Sequence, residues 1–131
     1  MSISVLVCDD LASVQSMLRR MIEREGLRVS GVASTADEVL ERYRADRPDI
    51  VLLDLRMPGA IGLSVLRAIL THDPTARVVM CSGTSDPEVQ RAAMQMGAVD
   101  WVLKPVYTLS LIARLRELVA RPLGPGPSLT G

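Results

Sequence analysis

A chain of 131 residues, 48% hydrophobic and 23% charged, has the size and balance of one globular domain with a single core. Fifteen basic residues offset fifteen acidic ones, so no net charge draws it toward nucleic acid or a membrane surface. No apolar run approaches the ~20 residues that span a bilayer. Ile3–Cys8 runs straight into two aspartates, without the basic-then-apolar pattern of a signal peptide, which points to the cytoplasm.

In chain order, short apolar runs alternate with helical patterns. Ile3–Cys8 predicts a first strand; Val14, Met17, Leu18, Met21 and Ile22 form the stripe of a first helix, with Gly26 where a left-handed C-cap belongs. Leu27–Ala33 is a second strand, interrupted by Arg28 and Ser30 as suits a sheet edge, and Thr35 with Glu38 reads as a capping box opening a second helix. A third strand, Ile50–Leu53, precedes a helix striped by Val65, Leu66, Ile69 and Leu70. Arg77–Cys81 is the fourth strand, and Asp86-Pro87-Glu88 supplies the N-cap, first-turn proline and acid of a fourth helix closed by Gly97. Val99–Leu103 is the fifth strand; Leu111, Ile112, Leu115, Leu118 and Val119 stripe the last helix. Nearly continuous apolar strands alternating with helices predict an α/β, doubly wound (βα)5 domain with a parallel sheet covered on both faces. The domain is expected to occupy residues 1–121. Three prolines and three glycines in residues 122–131 mark a tail or the start of a linker.

Cys8 and Cys81 have neither metal-binding nor disulfide-framework spacing and read as small buried apolar residues. His72 is the only histidine and falls where a helix should stop, in Thr71-His72-Asp73-Pro74, as a solvated residue.

The chemistry follows the strands. The first apolar run ends in Asp9-Asp10, the third in Asp54, the fourth in Ser82 and the fifth in Lys104. In a parallel sheet these carboxyl ends share one edge, where open α/β sheets bind ligands. Each residue alone is an ordinary strand-end or capping residue; the ordered set is not. Two carboxylates ~5 Å apart at an effective dielectric of ~20 repel by roughly 3 kcal/mol. One lysine cannot neutralise three acids, so a divalent cation is the natural further member, and oxygen ligands favour Mg²⁺ or Mn²⁺ over zinc.

Val7-Cys8-Asp9-Asp10, Leu52-Leu53-Asp54-Leu55-Arg56-Met57-Pro58-Gly59, Met80-Cys81-Ser82-Gly83 and Val102-Leu103-Lys104-Pro105 carry a family resemblance. In this order they resemble the receiver domains of two-component response regulators, from residue 3 to about residue 120. The resemblance implies a flavodoxin-like sheet of order 2-1-3-4-5. It makes Asp54 the phospho-acceptor, taking a phosphoryl group from a sensor histidine kinase or histidine phosphotransfer protein, with the domain catalysing only its own phosphorylation and dephosphorylation. Asp10, Asp54 and the backbone carbonyl of Arg56 would bind Mg²⁺ directly, and Asp9 through water. Lys104 would pair with a phosphoryl oxygen, Ser82 would hydrogen-bond to another, and Trp101 stands at the aromatic switch position. The Lys104-Pro105 bond is implied to be cis. The switch would be read on the face made by the fourth helix, fifth strand and fifth helix. Two strand spacings between the first and fourth strands, roughly 9–10 Å, exclude a Cys8–Cys81 bridge.

Ile61 replaces the family's usual acid or amide, which questions the local hydrogen bonding of that loop. Arg56 and Thr84 hold the positions that tune phosphoryl lifetime, and Arg56 suggests slow loss. A flavodoxin-type cofactor protein would cradle a phosphate in a hydroxyl-rich loop, where Asp9-Asp10 would repel it. A haloacid-dehalogenase-type hydrolase separates its two aspartates by one residue, whereas these are adjacent. The expected function is therefore that of a stand-alone receiver acting by protein contact, or alternatively the N-terminal receiver of a longer regulator with a DNA-binding or enzymatic output domain. No recognition-helix module or basic face suggests DNA binding by these residues themselves.

Overall fold

The computed structural model describes residues 2–83, 85–104 and 109–120; Thr84, the Lys104-Pro105 peptide bond and the expected tail, 122–131, lie outside them. Five parallel strands, β1 (Ser4–Cys8), β2 (Arg28–Ala33), β3 (Ile50–Asp54), β4 (Val78–Ser82) and β5 (Asp100–Leu103), form one sheet in the order β2-β1-β3-β4-β5. This is the expected 2-1-3-4-5 topology. Between them run α1 (Ala12–Arg24), α2 (Ala36–Asp46), α3 (Gly62–His72) and α4 (Pro87–Met96), with α5 (Leu109–Ala120) after the last strand.

The sheet has two apolar layers because both its faces are covered. Leu6, Leu53, Met80 and Trp101 face α2, α3 and α4, packing with Val39, Leu66, Ile69 and Ala93. Val7, Leu52, Val79 and Val102 face α1 and α5, packing with Leu18, Ile22, Ile112 and Leu115. The three stripes read from the sequence are the buried sides of α1, α3 and α5. Cys8 lies in the first layer and Cys81 in the second, so the thiols are on opposite faces of the sheet as well as two strands apart. Burial raises both pKa values, that of Cys81 to about 12, so both stay neutral small core groups.

Ser30 is the residue that slips the β1–β2 register, with Val5 opposite Val29 but Leu6 opposite Gly31. The interruption in the second run is thus a bulge on an edge strand. At α2, the Thr35 hydroxyl accepts from Glu38 N at 3.3 Å, but the Glu38 carboxylate accepts from Ser34 N at 2.8 Å, one residue before the position a capping box requires. Asp86 caps α4 as expected, accepting from Glu88 N at 3.0 Å and Val89 N at 3.4 Å, and Gly26 and Gly97 have φ of 87° and 118°. The sequence does not announce Arg47, which ends α2 in the left-handed region at φ 47°. His72 is exposed, with Tyr43 edge-on at 6.3 Å, and the Tyr43 hydroxyl donates to Asp73 at 2.7 Å, tying α2 to the end of α3.

After β3, Arg56–Met57 pairs antiparallel with Ala60–Ile61, a ribbon too short to show in the periodicity of the sequence. This small ribbon folds the chain back after β3, so Gly62 N donates to Leu55 O at 2.6 Å. A Cβ at Gly62 would lie 2.6 Å from both Leu55 Cα and Leu55 O and 2.9 Å from Asp54 O, all backbone atoms. Gly62→Ala is therefore expected to destabilise the fold by about 2 kcal/mol, as forced overpacking does. Gly83→Ala, whose Cβ meets nothing within 4 Å, should be nearly neutral. Urea midpoints measure both, and equal midpoints for the two variants would contradict this account of the loop.

Candidate functional site

The sheet register brings the strand ends level. Cys8 lies opposite Leu53, Asp54 opposite Cys81, and Ser82 opposite Leu103. Asp9, Asp54, Ser82 and Lys104 consequently emerge within about one residue of a common edge. Leu55 N donates to Cys81 O at 2.9 Å and Lys104 N to Ser82 O at 2.7 Å, carrying the parallel pairing past the strand ends.

Of the residues singled out in the sequence, Asp9, Asp10, Asp54 and Lys104 are brought together. One oxygen from each carboxylate lies within 4.8 Å of the others. The Lys104 ammonium bonds Asp9 Oδ2 at 2.5 Å and Asp54 Oδ2 at 3.1 Å. The remaining oxygens are held by backbone: Leu11 N donates to Asp9 Oδ1 at 2.9 Å, and Arg56 N to Asp54 Oδ1 at 3.2 Å. Asp9 is buried, Asp54 is partly buried and Asp10 is exposed at the mouth.

Burial raises the Asp54 pKa above the ordinary carboxylate value; the Arg56 amide and the Lys104 charge pull against this, and Asp9 adds to the rise. For Lys104, burial pulls the pKa down, but hydrogen bonding to Asp9 and the Asp54 charge outweigh it, and the net shift is upward. The Asp54 shift is thus chiefly one of burial, and the Lys104 shift one of its two carboxylate partners. An oxygen-only donor set of this charge, open on the Asp10 side, fits a hard divalent cation such as Mg²⁺ or Mn²⁺ and not a thiolate- or imidazole-seeking metal.

Ser82 is buried at the end of β4 beside this cluster. Trp101 is buried opposite Met80, and its indole Nε1 has no hydrogen-bond partner among the described residues. The Arg56 side chain is exposed. Ile61 is 66% exposed and makes no side-chain cap for α3; the backbone bond from Gly62 to Leu55 holds the loop instead. Thr84 and Pro105 lie outside the described residues. Sequence reasoning missed Gln15, whose amide donates to the backbone carbonyl of Asp9 and to the Ser34 hydroxyl. No motif marks it, since a lone glutamine in a first helical turn reads as an exposed polar residue.

Three comparisons bear on this arrangement. The family model for the response regulator receiver domain matches residues 5–116. The chain is 32% identical over 114 residues to the chemotaxis protein CheY of Thermotoga maritima, covering 87% of this chain and 95% of that one. It is 41% identical to protein-glutamate methylesterase/protein-glutamine glutaminase 5 of Myxococcus xanthus, over 96% of this chain but 40% of that one. A chain of the CheX–CheY–BeF₃–Mg²⁺ complex from Borrelia burgdorferi superposes with a TM-score of 0.86 at 26% identity, covering 91% of this chain and 90% of that one. The sheet order, the level strand ends and the match over most of the chain agree: this chain belongs to the response regulator receiver domain family.

Proposed function

We propose that Asp54 accepts a phosphoryl group from a phosphohistidine of a sensor histidine kinase or phosphotransfer protein, and that its phosphorylation switches partner binding. The observation that carries this reading is the Lys104 ammonium bridging Asp9 and Asp54. It shows a carboxylate oriented and charge-compensated at the mouth of an open α/β sheet. In the transfer an Asp54 oxygen forms a P–O bond as the donor's P–N bond breaks, and the departing electron pair stays on the imidazole nitrogen, which takes a proton from solvent. The donor is another protein. His72 closes α3, an 11-residue helix whose other end, Gly62, sits against Asp54, so it is roughly 16 Å away along the axis.

Each side chain has a stated task. The Arg56 amide fixes one Asp54 oxygen, and Lys104 pairs with the other. Lys104, freed from Asp54 Oδ2, pairs with a phosphoryl oxygen, and the Ser82 hydroxyl bonds a second. Asp10, Asp54 and the Arg56 carbonyl would hold Mg²⁺ or Mn²⁺, which supplies charge neutralisation to the transferring group. Both Asp9 oxygens are already engaged, by Leu11 N and Lys104, which favours its acting through water. Trp101 would be the switch side chain, read at the face made by α4, β5 and α5.

The reading places the domain in the cytoplasm; among the described residues no helix is long and apolar enough to cross a membrane. A second reading, a receiver attached to an enzymatic output domain, is favoured by the Myxococcus relative, of which the match spans 40%. The coding sequence beyond Gly131 decides between them.

Acetyl phosphate with Mg²⁺ should add one phosphoryl group in intact-mass spectra, and neither Asp54→Ala nor EDTA-treated protein should gain it. Full phosphorylation of Asp54→Ala would refute the acceptor, and EDTA-insensitive phosphorylation would refute the metal's part. As the only tryptophan, Trp101 offers a second readout. Beryllofluoride with Mg²⁺ should shift its emission in the native protein and not in Asp54→Ala; an unchanged spectrum with beryllofluoride binding confirmed by calorimetry would make Trp101 packing alone.

A further inference from the structure

We infer that Gln15 is a positioning residue for the acidic cluster, acting with Ser34 as a strut between the two loops that carry its carboxylates. The inference rests on the proposed metal-assisted reading and adds to it a residue that touches none of the reacting atoms. Asp9 and Asp10 sit on the turn between β1 and α1, Asp54 at the start of the turn between β3 and α3. Like charges push these turns apart; Leu55 and Met57 anchor the turn after β3 in the core, whereas Leu11 in the turn after β1 is exposed.

A continuous set of bonds opposes that push. The Gln15 amide, half-buried in the first turns of α1, donates to the Asp9 carbonyl and, at 3.0 Å, to Ser34 Oγ. Ser34 is fixed in turn by its own N–H donating to the Glu38 carboxylate at 2.8 Å, while Asp9 N donates to Ala33 O at 3.0 Å. The next turn of chain reaches the other loop: Ala36 N donates to Pro58 O at 3.3 Å, four residues beyond Asp54. The turn between β2 and α2, which holds no charged member of the cluster, therefore braces both turns that do. Glu38 is committed to Ser34 instead of its own helix's N-cap residue, and this explains the departure from a capping box at Thr35.

Only a terminal N–H donor on a side chain of this length can bond both oxygens. Gln15→Met keeps the length and apolar stem and removes the donor; Ser34→Ala removes one of its two acceptors. Groups that orient metal ligands typically change metal affinity tenfold to a hundredfold when removed. Mn²⁺ binding, followed by loss of the free-ion electron paramagnetic resonance signal, measures this without any turnover.

Gln15→Met should raise the Mn²⁺ dissociation constant about tenfold, and Ser34→Ala should raise it less. The double variant should lose no more than Gln15→Met, because both act through one strut. Arg19→Ala, which breaks only the exposed Arg19–Glu23 pair on the same helix, should leave the constant unchanged. A Gln15→Met constant within twofold of the native protein, or strictly additive losses in the double variant, would overturn the inference. Failure of the native protein to bind Mn²⁺ at all would instead overturn the metal-assisted reading beneath it.

Discussion

Three carboxylates share one edge of a sheet with a single ammonium, and the organisation of this domain follows from keeping that arrangement in place. Two bonds from Lys104 hold Asp9 and Asp54 together against their mutual repulsion, across 95 and 50 residues of chain. Such distances in sequence can be closed only if the strands ending at those residues are rigid and in register. The core supplies this: Leu6, Leu53 and Met80 below one face and Val7, Leu52 and Val79 below the other leave no room for a slip, which would turn apolar side chains out of both layers. Apolar burial here stabilises a polar site that is itself unfavourable.

The sequence carried the large elements because both sheet faces are buried. Continuous apolar runs at Ile3–Cys8, Ile50–Leu53 and Arg77–Cys81 leave parallel strands as the natural reading, and parallel strands force their ends onto one edge. That is why Asp9, Asp10, Asp54, Ser82 and Lys104 could be grouped before any coordinates. What was not legible is local and has no period. The ribbon Arg56–Met57 with Ala60–Ile61 has two residues per strand, too few to alternate. The left-handed conformation of Arg47 breaks the residue preference that would have signalled it. The bulge at Ser30 and the redirected Glu38 carboxylate depend on what the neighbouring loop offers, which no pattern along one helix reveals.

The same imbalance links structure to signalling. Three carboxylates against one ammonium leave the site two positive charges short, a deficit that a divalent cation would match. Asp54 has its pKa raised by burial yet keeps one oxygen fixed by the Arg56 amide, so the carboxylate is oriented although burial disfavours its charge. Ser82 and Trp101 stand on neighbouring strands, Ser82 opposite Leu103 and Trp101 opposite Met80. The end of β4 and the β5 layer are thus directly paired. The indole Nε1 of Trp101 is buried without an acceptor among the described residues.

The measurement that bears most directly on this account is thermal unfolding of the unphosphorylated protein with and without Mg²⁺. Saturation at about 100 times the dissociation constant adds roughly 2.7 kcal/mol by linkage, a rise of about 5–10 °C for a domain of this size. Asp10→Asn removes one of the three charges at the exposed mouth, so it should melt higher than the native protein without metal and lose most of the Mg²⁺-dependent rise. A native protein whose melting is indifferent to Mg²⁺, or an Asp10→Asn variant that melts lower without metal and keeps the full rise, would contradict the claim that unrelieved charge defines this site.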